Sequence, residues 1–258
     1  MTDLIIDDFL KRGKTHFICE DYIISGIDPI PYIILSDGCS SSKNTDTGSR
    51  ILTFASRLYL FEKGINPDTD YFEMGKCIIN RSEHIAKLMG IELFSLDATL
   101  IISYLFENKV HIKIYGDGII ILLHNDGKVS FIKIDFEKNA PYYLSYLIDE
   151  DRKKIYDEAV LFKFIGEKKT KSQDKTEFVF SPSDYRSILI ASDGVDSFID
   201  KSGNKCDLNM ILKEFTAFKN TNGYFIKRRA KRAIDEFEKS GIIHFDDIAL
   251  GGFIFNRE

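Results

Sequence analysis

Acidic residues recur where apolar, strand-like runs end. PYIILSDG closes on Asp37-Gly38, VHIKIYGDG carries Asp117-Gly118, and RSILIASDG closes on Asp193-Gly194. IIHFDDIAL sets Asp246-Asp247 before a last apolar run, and FICEDYII inserts Glu20-Asp21 into another. A buried carboxylate without a partner costs several kcal/mol or shifts its pKa. Taken singly, each Asp-Gly reads first as a turn, because that dipeptide suits turn geometry. Glu20-Asp21 has no glycine beside it, so a turn does not cover it. Taken together, the five insertions suit a shared site for a hard divalent cation, whose preferred ligands are carboxylate and carbonyl oxygens. Glycine after aspartate lets the backbone approach such an ion closely. No histidine or cysteine set has zinc spacing.

The elements that must position these acids are legible in outline. HFICEDYIISGI and PYIILSDG read as strands around a turn at Asp28-Pro29. Helical spacing of Ile51, Phe54, Ala55 and Leu58 predicts a helix over 45–63, closed by Gly64, and a second follows over 69–89. Strand signals return in LDATLIISYLF, KVHIKIYGDG, IIILLHN and KVSFIKI, with a hairpin at Asn125-Asp126-Gly127. DEDRKKIYDEA reads as a short helix, and the polar stretch from Ile165 to Glu177 as an exposed loop or flap. RSILIASDG is a strand, helices occupy 208–218 and 224–239, and a strand over 248–255 ends the pattern. Helices in pairs, rather than one per strand, disfavour a doubly wound parallel sheet. The expectation is an α+β fold: a four-layer α-β-β-α sandwich of two antiparallel sheets flanked by helix pairs. With no internal repeat and no linker, residues 1–258 read as one domain.

Bulk composition narrows the function classes. The net charge of −5 disfavours a nucleic-acid partner. The basic run 227–232 lies on a helical pattern and reads as a solvated face. No stretch of about 18 apolar residues exists, so no membrane span is expected. The four cysteines, Cys19, Cys39, Cys77 and Cys206, form no C-x-x-C pair. With no visible secretory signal, a reduced, cytoplasmic protein is the expectation.

In order and spacing these motifs resemble the metal-dependent protein phosphatase 2C family, from about Lys14 to Phe255. The resemblance implies a serine/threonine phosphatase in which a water bridging two divalent cations, Mg²⁺ or Mn²⁺, hydrolyses phosphoserine or phosphothreonine. It makes Asp37 the bridge between the metals. Glu20 and the Gly38 carbonyl complete one ion's protein ligands, and Asp193 and Asp246 hold the other. Asp117, with Asp193, is associated with a weaker third ion. Asp37 and Asp193 are thus the catalytic carboxylates, while Asp21 and Asp247 orient the ligands. Thr99-Leu100 matches a structural strand.

There are departures. His16 stands where the family often has a phosphate-binding arginine; it either binds phosphate when protonated or is a surface residue. Cys39 stands where animal members carry a histidine; it either fills space or is an oxidisable thiol. Asp97 replaces a glycine. The implied partners are a phosphorylated protein substrate and a cognate kinase. The alternative is an inactive pseudophosphatase of the same fold that binds a phosphoprotein or regulates a kinase.

Overall fold

The computed structural model describes residues 3–63, 69–136, 142–157, 161–165, 168–172 and 176–256. Its strands are β1 (Asp3–Lys11), β2 (Tyr22–Gly26), β3 (Tyr32–Ser36), β4 (Leu100–Phe106), β5 (Lys109–Tyr115), β6 (Gly118–His124) and β7 (Val129–Phe136). They continue with β8 (Leu161–Ile165), β9 (Lys168–Ser172), β10 (Glu177–Phe180), β11 (Tyr185–Ala191), β12 (Phe198–Ile199), β13 (Ile243–His244) and β14 (Ile248–Asn256). The helices are α1 (Thr45–Lys63), α2 (Tyr71–Met89), α3 (Glu150–Asp157), α4 (Leu208–Thr216) and α5 (Phe225–Ser240).

Two antiparallel sheets carry the fold. One runs β1-β14-β11-β6-β7-β8-β9, the other β10-β5-β4-β3-β2, and β12 and β13 form a small ribbon. Three apolar clusters follow from the burial pattern. Ile33, Leu35, Ile101 and Ile112 of the five-stranded sheet meet Ile120, Ile134, Ile188 and Phe253 of the seven-stranded one. Ile34, Leu100 and Ile102 pack with Leu52, Ile78 and Ile79 of α1 and α2. Ile119, Leu189 and Leu250 pack with Leu212, Phe215 and Ile234 of α4 and α5. Alternate residues of one strand thus enter different clusters, as the period of two requires.

Helix boundaries agree with local chemistry. Asp70 caps α2 by accepting from the N–H groups of Phe72 and Glu73. Gly90 and Gly241 close α2 and α5 in the left-handed region. The turn at Asn125-Asp126-Gly127 is present, with His124 N–H donating to the Lys128 carbonyl. The helix closure expected at Gly64 lies outside the described residues.

Three expectations need correction. Residues 16–21 are not strand: β2 begins only at Tyr22, so Glu20 and Asp21 precede it. The first strand is instead Asp3–Lys11, an edge strand paired along its length with β14. Asp117-Gly118 is not a hairpin turn, because β5 and β6 lie in different sheets and the chain crosses between them there. The expected loop from Ile165 to Glu177 contains β9, paired with β8 from Leu161↔Ser172 to Ile165↔Lys168; its residues 166–167 and 173–175 lie outside the described residues.

Candidate active site

Strand register brings the acids to one end of the two sheets. Ala191 at the end of β11 pairs with Leu250 of β14 and with Ile119 of β6. Asp193, two residues beyond β11, therefore falls beside the residues that precede β14 and β6, which are Asp246 and Asp117. In the other sheet Leu35 of β3 pairs with Ile101, and Leu100 with Tyr115. Asp37 is thereby carried to the same end. Its own backbone is tied to the neighbouring chain: Thr99 N–H donates to the Asp37 carbonyl at 2.8 Å, and Thr99 Oγ1 accepts from Asp37 N–H at 3.2 Å. Thr99 thus ties the Asp37 backbone to the start of β4.

The result is a cavity of about 320 Å³ lined by His16, Asp37, Gly38, Cys39, Ser40, Ser41, Thr99, Asp117, Tyr143, Asp193 and Asp246. Of the site residues expected from the sequence, His16, Asp37, Gly38, Asp117, Asp193 and Asp246 line it. Glu20 does not line it; its carboxylate accepts from Thr45 Oγ1 at 2.9 Å and lies 4.0 Å from His16 Nδ1.

Asp21 and Asp247 are buried behind this wall. Asp247 accepts from Gly13 N–H and Glu20 N–H, each at 2.6 Å, and so pins the segment that carries His16 and Glu20. Asp21 accepts from Ser192 Oγ at 2.7 Å, and Ser192 Oγ in turn accepts from Ala249 N–H. Asp193 opens a short 3-10 turn, Asp193–Asp196. Asp246 N–H meets Ser197 Oγ at 3.3 Å, which ties the two acidic segments together.

The electrostatics are those of crowded acids. Burial, then Asp21, Asp193, Asp117 and Asp246, hold Asp37 well above the usual carboxylate range. Burial, then Asp193, does the same to Asp117. Burial and Asp246 raise Asp193, while burial alone leads for Asp246 and Glu20. Two basic side chains answer them. His16 Nε2 lies 3.4 Å from Asp246 and Nδ1 3.0 Å from Asp247. Burial lowers the imidazole pKa, but these acids and Glu20 outweigh it and raise the group above its ordinary value. Lys133 of β7 reaches Asp196 at 2.9 Å and lowers Asp117 and Asp193 through space.

Among the described residues, no three His, Cys, Asp or Glu side chains are drawn tightly enough together to grip one ion. The fit to a metal rests instead on donor chemistry. The wall offers only carboxylate, carbonyl and hydroxyl oxygens beside one imidazole and one thiol, and its acids raise one another's pKa. That donor set suits Mg²⁺ or Mn²⁺ and not zinc.

A family model, protein phosphatase 2C, matches residues 12–235. The chain belongs to the protein phosphatase 2C family. That is a family of serine/threonine phosphatases, and the matched residues include Glu20, Asp37, Asp117 and Asp193. Solved phosphatase 2C-like structures share the fold. The catalytic domain of the serine/threonine phosphatase PstP, in complex with two manganese ions, is 16% identical, with full coverage of both chains and a TM-score of 0.59. Mycobacterium tuberculosis PstP/Ppp is 17% identical, again with full coverage of both chains, with a TM-score of 0.57. Staphylococcus aureus Stp1 is 13% identical over 100% of this chain and 96% of its own, with a TM-score of 0.59. No curated protein sequence matches.

Three contributors escape a reading of the sequence. Ser192 and Tyr143 carry no local signal. Lys133 does carry one: it is a lysine at an alternating position within the apolar run KVSFIKI.

Proposed function

We propose that this cleft is the active site of a metal-dependent protein serine/threonine phosphatase in a single domain, residues 1–258, layered α-β-β-α. The observation that carries the reading is the convergence of Asp37, Asp117, Asp193 and Asp246, from four distant segments, on one cavity. Crowded, buried carboxylates are costly to keep ionised unless cations neutralise them.

Asp37, Asp193, Asp246, Glu20 and the Gly38 carbonyl would hold two divalent cations, Mg²⁺ or Mn²⁺, with Asp117 and Asp193 serving a weaker third. Bound there, such ions lower the pKa of a ligated water and screen the charge of a phosphoryl group. The chain's own part is to fix the carboxylates in place. Asp247 and Ser192 hold the Glu20 and Asp21 segment, and the Thr99 backbone holds Asp37. Ser40 and Ser41 offer neutral hydroxyl donors on the same wall. The substrate is a phosphorylated protein, opposed to a cognate kinase. The setting we propose is cytoplasmic, and the net charge of −5 accords with a partner other than nucleic acid. The four cysteines are unpaired. Among the described residues no helix is long and apolar enough to cross a membrane.

The test is hydrolysis of a phosphoserine peptide with Mn²⁺. Turnover that is lost on chelation and in Asp37→Asn is expected; no turnover between pH 7 and 9 would count against the reading. A second reading, a pseudophosphatase that binds without hydrolysis, is favoured by one observation: His16 is engaged by Asp246 and Asp247. Peptide binding with no phosphate released would select it.

A further inference from the structure

Asp97, the aspartate in place of a glycine, is 5% exposed and forms a hub. Its carboxylate accepts from Ser145 Oγ at 2.6 Å, Arg152 Nη2 at 2.8 Å and Ser42 Oγ at 3.1 Å. Its carbonyl accepts from Cys39 N–H at 2.9 Å. The hub therefore fastens two segments to each other: the loop that follows Asp37-Gly38, and the stretch 143–152.

That stretch is stiffened further. The Arg152 guanidinium lies 3.8 Å from the centre of the Tyr146 ring and 5.2 Å from that of Phe94. Tyr146 N–H donates to the Tyr143 carbonyl at 3.1 Å, and the two rings meet edge to face. The member of this stretch that reaches the catalytic cavity is Tyr143. Its side chain is buried and shares the cavity wall with Cys39, whose thiol lies 3.0 Å from Ser41 Oγ.

A thiol is a weak hydrogen-bond partner. A phosphoryl oxygen carrying negative charge is a strong one, and charge-assisted O–H···O bonds are roughly twice as strong as neutral ones. A phenol on a cleft wall that it shares with a thiol has a better acceptor to gain when a phosphoester enters. A phenol, whose ordinary pKa is about 10, holds at neutral pH the proton it would donate.

We propose that Tyr143 contacts substrate, donating a hydrogen bond from its hydroxyl to the phosphoryl group, and that Asp97, Ser145 and Arg152 are positioning residues that hold it on the cleft wall. The inference rests on the phosphatase reading of the cleft. It also assigns a role to Asp97 that a glycine there could not fill.

Tyr143→Phe keeps the ring and removes the donor. In the Mn²⁺-loaded protein, its dissociation constant for inorganic phosphate, measured by calorimetry, should rise about tenfold, as should KM for a phosphoserine peptide. The Mn²⁺-induced rise in melting temperature should match that of wild type. Arg152→Ala should weaken phosphate in the same direction, and the Tyr143→Phe/Arg152→Ala pair should bind no more weakly than Tyr143→Phe alone. Wild-type phosphate affinity in Tyr143→Phe would overturn the contact, and additive losses in the pair would overturn the positioning. A wild-type protein that takes up Mn²⁺ but neither binds phosphate nor hydrolyses peptide would remove the phosphatase reading as well. That result is distinct from an active wild type whose Tyr143→Phe variant is unaltered.

Discussion

Gly194 packs against the backbone of Asp247 so closely that a Cβ built on it would stand 1.6 Å from the Asp247 carbonyl oxygen. The contact joins the two halves of the acid cluster, since Asp193 precedes the glycine and Asp246 precedes its partner. The Gly in this Asp-Gly pair is thus required by chain packing and not by a left-handed backbone, since its φ is not positive.

Gly194→Ala should therefore push the Asp193 turn away from β14. A loss of about 1–3 kcal/mol in chemical denaturation is expected, the usual range for overpacking. Mn²⁺ should also stabilise this variant less than wild type. A variant with wild-type stability and wild-type Mn²⁺ response would show that the two segments move freely.

Asp7 closes a long-range cap. It lies on β1 and is 6% exposed, yet its Oδ2 accepts from the N–H groups of Ile226 at 2.6 Å and Lys227 at 3.1 Å at the start of α5. Burial raises its pKa despite those bonds. Asp7→Ala should cost about 1–2 kcal/mol by removing the acceptor. Asp7→Asn keeps an acceptor without the buried charge and should cost less. Equal losses in both, read by urea denaturation, would contradict this account of the cap.

Much of the site was legible because its acids sit at strand ends, where apolar runs stop and charge begins. The helices over 45–63 and 71–89 follow from apolar spacing and caps. What escaped depends on distant partners. DLIIDDFLK interrupts its apolar pattern with Asp7 and Asp8, so β1 is hidden until α5 is placed against Asp7. Residues 16–21 look like strand, but Asp247 draws the Glu20 backbone away from sheet pairing. Asp97 reads as a departure from the family pattern, and only the arrival of Ser145 and Arg152 explains it.

His244 gives a pH dependence with a definite sign. The ring is fully buried beside Phe198, and burial lowers its pKa below the ordinary 6.5. A depressed folded-state pKa contributes stability that is complete above 6.5 and is lost as pH falls toward the folded value. His244→Leu removes that contribution. Melting curves between pH 7.5 and 5 should fall less steeply for the variant than for wild type. Parallel curves would mean that His244 titrates alike in both states.

Crowding among the carboxylates predicts opposite effects of one substitution with and without metal. In chelator, Asp37→Asn relieves repulsion from Asp21, Asp193 and Asp117 and should melt no lower than wild type. With millimolar Mn²⁺, wild type should rise in melting temperature and the variant should not. A variant that gains as much from Mn²⁺ as wild type does would place the binding elsewhere.

The most direct measurement is anomalous scattering from a crystal soaked in Mn²⁺. Two strong peaks are expected in the cavity, with Asp37 touching both, Asp193 and Asp246 on one, and Glu20 and the Gly38 carbonyl on the other. A cavity without peaks at saturating Mn²⁺, or peaks held by other residues, would contradict the account.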